Sequence, residues 1–177
     1  MGCIGYPGHP VWEVTGACNL RCIHCHAVSG KADPDELTTD EGKKLIDMLA
    51  ANSEFRTLIY TGGEPLVRRN IAFLIRQLKS LPGIREVALT TNGTLLAPLA
   101  TELKAAGLDR LNISLDSLDP GKYRQVTRVG DIDQVLAGIR AAQEAGFTGT
   151  KINMVLVPGF NDNEVEALQS FCRENGL

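Results

Sequence analysis

The sequence predicts an α/β protein in which parallel strands form a partial (βα) barrel with helices outside. Short apolar runs alternate with amphipathic stretches along all 177 residues, an order typical of a parallel sheet covered by helices. In addition, some predicted strands have one polar face, as where Asn112, Ser114 and Asp116 alternate with apolar residues. Buried parallel strands are normally apolar on both faces, so these polar faces indicate a lumen that holds a ligand.

Five strands are predicted from apolar runs of strand length. They lie at Val11–Thr15, Thr57–Thr61, Val87–Thr91, Leu111–Leu115 and Lys151–Val157. Two further polar faces occur among them, formed by Glu13 with Thr15 and by Lys151 with Asn153. The apolar faces are expected to pack on helices. The polar faces line the lumen, unless their side chains simply satisfy one another's hydrogen bonds.

Helices are predicted between the strands from apolar residues spaced i, i+3, i+4 and i+7. The apolar stripes are Ile71, Leu74, Ile75 and Leu78; Leu96, Leu99, Ala100 and Leu103; Ile132, Val135, Leu136 and Ile139; and Val165, Leu168 and Cys172. Residues that favour helix termini lie where these stripes begin or end. They are the capping-box pairs Thr38 with Glu41 and Asp131 with Gln134, the N-cap candidate Asn70, and the terminal glycines Gly107 and Gly146.

Composition and length indicate one domain over residues 1–177, in which residues 1–10 form a flexible lead-in. Five βα units leave a strand edge that proteins normally cover, so we expect a C-terminal part to be missing.

The formal net charge is −3, and no Lys/Arg run indicates nucleic acid as a partner. No apolar run is long enough to span a membrane. Clustered, unpaired cysteines favour a reducing, cytoplasmic setting.

Three of the five cysteines, Cys18, Cys22 and Cys25, lie in one loop directly after the first predicted strand. Parallel α/β folds build their sites at the C-terminal ends of their strands. Three thiolates can hold three corners of an iron–sulfur cluster, whereas clusters used only for electron transfer normally have four cysteine ligands. An open iron would bind something else. The alternative is a structural zinc ion completed by His24 or His26.

With these motifs, the sequence resembles the radical S-adenosylmethionine (radical SAM) enzymes, whose hallmark is CxxxCxxC after the first barrel strand. The resemblance covers nearly the whole chain. The stretches TGGEP (61–65), TTNG (90–93) and NISLDS (112–117) follow or occupy the second, third and fourth strands, as they do in that family. It implies a [4Fe–4S] cluster on Cys18, Cys22 and Cys25. It also implies about five βα units of the family's usual six.

The resemblance further implies how S-adenosylmethionine binds. Its methionine part chelates the open iron, near the backbone of Gly62 and Gly63 and the Glu64 carboxylate. His24 takes the place of an aromatic residue near adenine, and Ser114 matches a position that contacts the cofactor. The other residues assigned to this site from the family motifs are Pro65, Thr90, Asn92, Asp116, Lys151 and Val157.

Within the family, the two halves of the chain resemble different groups. The second half is similar to GTP 3′,8-cyclase of molybdenum cofactor synthesis, in which the residues matching Thr90 and Lys151 contact GTP. Two arginines that the cyclase uses for GTP are replaced here by Val11 and Ile59. The first half is more similar to the SPASM and tetrapyrrole-modifying enzymes, which mature cofactors or peptides.

From these resemblances we expect a radical SAM enzyme in which a 5′-deoxyadenosyl radical abstracts a substrate hydrogen, in cofactor or peptide maturation. The alternatives are a GTP 3′,8-cyclase-like enzyme and a non-catalytic iron–sulfur or zinc module. Expected partners are a small-molecule or peptide substrate and a reductant such as flavodoxin or ferredoxin. We also expect that the chain does not cyclise GTP efficiently.

Overall fold

The computed structural model describes residues 10–51 and 56–177, so most of the predicted lead-in, including Cys3, lies outside the described residues. The strands are β1 (Val11–Thr15), β2 (Thr57–Gly62), β3 (Glu86–Thr91), β4 (Arg110–Ser114) and β5 (Lys151–Asn153). The helices are α1 (Thr39–Ala50), α2 (Ile71–Lys79), α3 (Leu96–Ala105), α4 (Pro120–Thr127), α5 (Ile132–Glu144) and α6 (Val165–Glu174). Two short 3₁₀ helices occupy Pro65–Val67 and Asp162–Glu164. None of the described helices is long and apolar enough to cross a bilayer.

The five strands form one sheet in the order β1-β2-β3-β4-β5, and every pairing is parallel. Each strand thus lies beside the next one along the chain, with the crossover helices packed on one side, as the prediction of a partial barrel requires. The cysteine loop leaves the C-terminal end of β1, at the predicted rim. The predicted α/β class and parallel order are confirmed.

The apolar core lies between the sheet and its helices. Alternate strand residues point into it, and the stripes predicted for α2, α3 and α5 supply the facing layer. Among its fully buried members are Leu58, Tyr60, Leu74, Ile75, Leu89, Leu96, Leu111, Ile113 and Val135. The opposite strand face carries the polar residues. Some of them do bond one another, since Arg110 contacts Glu86 and Asn112, and Asn112 donates to Thr90.

Two of the three predicted helix starts differ from their predicted form. The capping box of Thr38 and Glu41 is present. Asp131 accepts a hydrogen bond from the backbone N–H of Asp133, and its pairing with Gln134 does not form. Asn70 precedes α2 but makes no side-chain cap bond, because its backbone is left-handed, with φ of 62°. Both predicted end glycines adopt positive φ just past their helices, as expected (Gly107, Gly146).

The fifth strand is shorter than predicted. It ends at Asn153 instead of Val157 because polar side chains capture the following backbone. The Asp116 carboxylate accepts the N–H of Val155. The side-chain amide of Asn161 donates to the Val155 carbonyl oxygen and accepts the N–H of Val157. These bonds replace the hydrogen bonds of the sheet. The bond to Asp116 also ties Val155 to the segment that follows β4.

Candidate functional site

The cysteine loop is fixed on both of its flanks. On one side, the backbone N–H of Gly30 donates to the carbonyl oxygen of Gly16, and the Gly30 carbonyl oxygen accepts the N–H of Cys18. These two bonds close the base of the loop. On the other, the N–H groups of Arg21 and Ile23 donate to the carbonyl oxygens of Thr127 and Val126, at distances of 3.2 and 2.9 Å. The C-terminal end of α4 has unpaired carbonyls that suit such donors. The loop is therefore held between β1 and α4, with its three thiols free.

A cavity of about 230 Å³ opens beside this loop, at the C-terminal ends of the strands. All three cysteines line it, together with backbone from the ends of β2 and β3. The predicted site residues in its wall are Cys18, Cys22, His24, Cys25, Gly62, Gly63, Thr90, Asn92, Ser114 and Asp116. Residues from the four successive strand ends β1 to β4 thus meet in one concave site, as is typical of α/β folds.

The three thiols differ in their electrostatic surroundings. Burial raises the pKa of Cys18, and burial raises that of Cys22 to about 11. For Cys25, burial is outweighed by backbone N–H groups, above all that of Ser29, so its pKa lies below the ordinary value. Thiolates are the form that binds metal. Loading the loop must therefore release protons, chiefly from Cys18 and Cys22.

Glu64, which the family resemblance puts near the cofactor ammonium, is buried between two turns. Its side chain is 0% exposed and is absent from the cavity wall. The carboxylate accepts the Thr91 hydroxyl at 2.7 Å, the Leu66 N–H at 3.0 Å and the Asn92 N–H at 2.7 Å. Burial raises its pKa against the effect of these bonds. Glu64 therefore ties the turn after β2 to the turn after β3. Its contact with a cofactor ammonium stays a prediction.

The glycines before Glu64 let two chain segments approach closely. Gly62 has φ of 124°, and the Gly63 N–H donates to the Thr15 carbonyl oxygen at 2.7 Å. A Cβ atom at Gly63 would overlap the carbonyl oxygen of Ala17. The sequence needs glycine at both positions because the turn after β2 presses on the cysteine loop. Backbone groups of this turn consequently face the cavity.

His24 and Asp116 form a polar pair across the cavity. The His24 Nε2 atom lies 3.1 Å from Asp116 Oδ2, and the other carboxylate oxygen accepts the Val155 N–H. The His24 Nδ1 atom is buried and has no partner within the described part of the chain. The pair connects the cysteine loop to the end of β4. It leaves one imidazole nitrogen for a bound group.

Three other predicted residues lie outside the cavity wall. Pro65 is buried at the start of its 3₁₀ helix, where its fixed φ favours the turn. Lys151 is exposed on β5, and Val157 lies past the early end of that strand. Contact of these three residues with the cofactor stays a prediction. His26, considered above as a zinc ligand, also lies in the wall. The sequence motifs assign no role in the site to the remaining wall residues, which are Leu20, Ser29, Thr61, Thr91, Tyr123, Thr127 and Val155. The α4 helix that carries two of them was not predicted, although Asp119 and Pro120 are a recognisable helix start.

The donor set fits an iron–sulfur cluster with a ligand on it. Three free thiols open on one cavity, and two buried polar atoms in or beside its wall, His24 Nδ1 and the Tyr123 hydroxyl, have no partner among the described residues. Buried polar atoms normally have partners, so the site is built for something further. Within residues 10–51 and 56–177, no three His, Cys, Asp or Glu groups converge tightly enough to hold a single metal ion.

Gly63→Ala is expected to destabilise the protein by about 1–3 kcal/mol, because the new methyl group overpacks against the Ala17 backbone. Chemical denaturation of the protein without cofactor measures this free energy of unfolding. Gly30→Ala, in the adjoining cysteine loop, is the matched control, because its Cβ atom would lie 3.9 Å from the nearest atom, of Arg21. Equal stability of Gly63→Ala and wild type would contradict the close approach.

Comparisons with known proteins agree with this site. A family model described as the radical SAM superfamily matches residues 12–172. The GTP 3′,8-cyclase of Moorella thermoacetica is 46% identical over 167 residues, 93% of this chain and 51% of that protein. The GTP 3′,8-cyclase of Heliobacterium modesticaldum is 50% identical over 156 residues, 86% of this chain and 47% of that protein. The chain thus spans about half the length of the curated relatives it matches.

Solved structures show the same fold. SuiB of Streptococcus suis, in a crystal structure with S-adenosylmethionine bound, superposes with a TM-score of 0.81 at 21% identity, over 96% of this chain and 39% of that one. At this identity the likeness concerns the fold alone. Together with the family match over residues 12–172, it leads to one conclusion: this chain belongs to the radical SAM superfamily.

Proposed function

We propose that this chain binds a [4Fe–4S] cluster through Cys18, Cys22 and Cys25, and S-adenosylmethionine beside it, as an enzyme that starts radical reactions. The observation that carries the proposal is the meeting of three free thiols and the Gly62–Gly63 turn in one cavity. When bound, the cluster supplies the electron that cleaves S-adenosylmethionine to a 5′-deoxyadenosyl radical, which abstracts a substrate hydrogen.

The chain's own residues bind and orient the cofactor. The backbone of Gly62 and Gly63 receives the methionine part, and the turn is held in place by the buried Glu64. His24 lines the wall where adenine is expected, and its Asp116 partner fixes the imidazole. Ser114 and Thr90 present hydroxyl groups from β4 and β3. These positions together would orient the cofactor along the strand ends.

The wall also limits access of water. Leu20 and Tyr123 are buried in it, and the half-exposed Val155 adds an apolar side chain to its rim. Apolar groups around a reactive species reduce side reactions with solvent. The polar lumen below, toward Asn112 and Lys151, is the proposed space for the substrate.

The substrate is proposed to be less anionic than GTP. The sequence relatives named GTP 3′,8-cyclase make GTP the first candidate. Against it, Val11 and Ile59 are register partners on adjacent strands and supply no charge at the start of the lumen. Arg110 is already paired with Glu86 at 2.6 Å. A cofactor precursor or a peptide side chain suits this lumen better, and GTP remains the second candidate.

The reductant is proposed to be a flavodoxin or ferredoxin, since a one-electron carrier is needed. A cytoplasmic location is proposed on the ground that free thiols persist in reducing compartments.

Anaerobic reconstitution followed by reduction with S-adenosylmethionine present tests the proposal. We expect 5′-deoxyadenosine to form, and the electron paramagnetic resonance spectrum of the reduced cluster to change when S-adenosylmethionine is added. A cluster whose spectrum does not respond would argue for a non-catalytic iron–sulfur module. Zinc without sulfide would argue for a zinc module.

A further inference from the structure

The Tyr123 hydroxyl is a buried polar group that the proposed cofactor contacts leave unused. The side chain is 2% exposed and lies in the cavity wall. Its hydroxyl has no hydrogen-bond partner in residues 10–51 and 56–177. Buried tyrosine hydroxyls normally have a partner, because removing one from water without compensation is costly. The structure therefore presents an unpaired hydrogen-bond donor on a side chain of the cavity wall.

The nearby sulfur of Cys22 is positioned by the same helix that carries Tyr123. The N–H groups of Arg21 and Ile23 bond the last carbonyls of α4, and these two residues flank Cys22. Thr127, one helical turn after Tyr123, donates its hydroxyl to the Tyr123 carbonyl oxygen at 2.7 Å. The loop and the end of α4 thus form one unit. Burial is the main influence that raises the pKa of Tyr123, and the charge of Cys22 is the next.

Several other acceptors in the wall are already engaged. Both Asp116 carboxylate oxygens are occupied, by His24 and by the Val155 N–H. The Cys18 sulfur accepts from Leu20 and Asn92, and the Cys25 sulfur accepts from Ser29. Among the described residues, no residue other than Cys22 itself donates to the Cys22 sulfur. The Cys22 sulfur is therefore an acceptor in the same cavity wall as Tyr123 to which no other described residue donates.

We propose that the Tyr123 hydroxyl donates a hydrogen bond to the Cys22 sulfur once that cysteine is a cluster thiolate, and that this bond tunes the reduction potential of the cluster. The inference rests on the proposed function. A hydrogen bond to a ligating sulfur stabilises the more negative, reduced cluster, so it makes reduction easier. Tyr123 acts on the cluster through the Cys22 sulfur, so it is a positioning residue.

Tyr123→Phe tests the inference because it removes only the hydroxyl. In the protein without cluster, we expect an unchanged or higher melting temperature, since the lost hydroxyl had no partner. In the reconstituted protein, iron and sulfide contents should match wild type, while the cluster's midpoint potential shifts to a more negative value. The potential is measured by spectroelectrochemical titration, in the absence of substrate.

Tyr60→Phe is the matched control. The Tyr60 hydroxyl is equally buried but donates to the Leu74 carbonyl oxygen at 3.1 Å, outside the cavity. Its removal should lower the melting temperature of the cluster-free protein and leave the midpoint potential unchanged. A cluster-free Tyr123→Phe protein as destabilised as Tyr60→Phe would overturn the inference, as would an unchanged potential. A wild-type protein that assembles no cluster would instead contradict the proposed function.

Discussion

Cys22→Ala is expected to abolish the cluster of the reconstituted protein, and with it the formation of 5′-deoxyadenosine. Two remaining thiols cannot replace the third, because backbone hydrogen bonds of Cys18, Arg21 and Ile23 hold the loop in place around Cys22. We expect iron and sulfide to fall to background, and 5′-deoxyadenosine to fall by at least about a thousandfold, the scale on which loss of an essential catalytic group is measured. Iron and sulfide analysis with chromatographic detection of 5′-deoxyadenosine measures both effects.

Cys172→Ala is the matched control for this loss. Cys172 is a free, half-buried thiol on α6, where it lines an apolar groove with Ile152 and Met154. Its removal should leave iron, sulfide and 5′-deoxyadenosine near wild-type amounts. A Cys22→Ala protein that keeps its cluster would show that the three-cysteine assignment is wrong. The same analysis decides the zinc alternative, because a zinc site contains no sulfide.

GTP is expected to bind this protein weakly, and restoring two arginines is expected to strengthen binding by a hundredfold or more. Val11 and Ile59 are paired in register across β1 and β2, and Val11 is 51% exposed. Each charge-assisted hydrogen bond to a triphosphate contributes about 1.5–3 kcal/mol. Two such bonds contribute about 3–6 kcal/mol if the effects add, which is on the order of a hundredfold or more in affinity.

Lys151 is not expected to supply the affinity for GTP that two arginines would contribute. It is exposed on β5 and is a single point charge, whereas arginine binds phosphate through a planar fork. Calorimetric titration of GTP into the reconstituted wild type and the Val11→Arg/Ile59→Arg variant measures the change. Met48→Arg, on the exposed face of α1, controls for added charge away from the lumen. Micromolar binding of GTP to wild type, followed by a cyclised nucleotide, would contradict the prediction and support the cyclase.

Much of the fold could be predicted from the sequence because local patterns set it. The stripe of α2 is buried throughout, and β1 has its predicted bounds. Faces with alternating polarity correctly indicated a parallel sheet with a polar side. The cysteine spacing, read with the TGGEP motif, indicated which loops meet, since the C-terminal ends of parallel strands share one rim.

Only the tertiary structure decided what each side chain in that rim contacts. Glu64 belongs to a binding motif, yet the folded chain buries it against Thr91 and Asn92, because two turns meet there. Lys151 lies in a motif but outside the cavity wall. The strand that carries it ends early at Asn153, because Asp116 and Asn161 bond the backbone that follows. Tyr123 gave no signal in sequence, because its role depends on the docking of the cysteine loop on α4. Sequence patterns determined which segments come together, and long-range hydrogen bonds determined which atoms face the site.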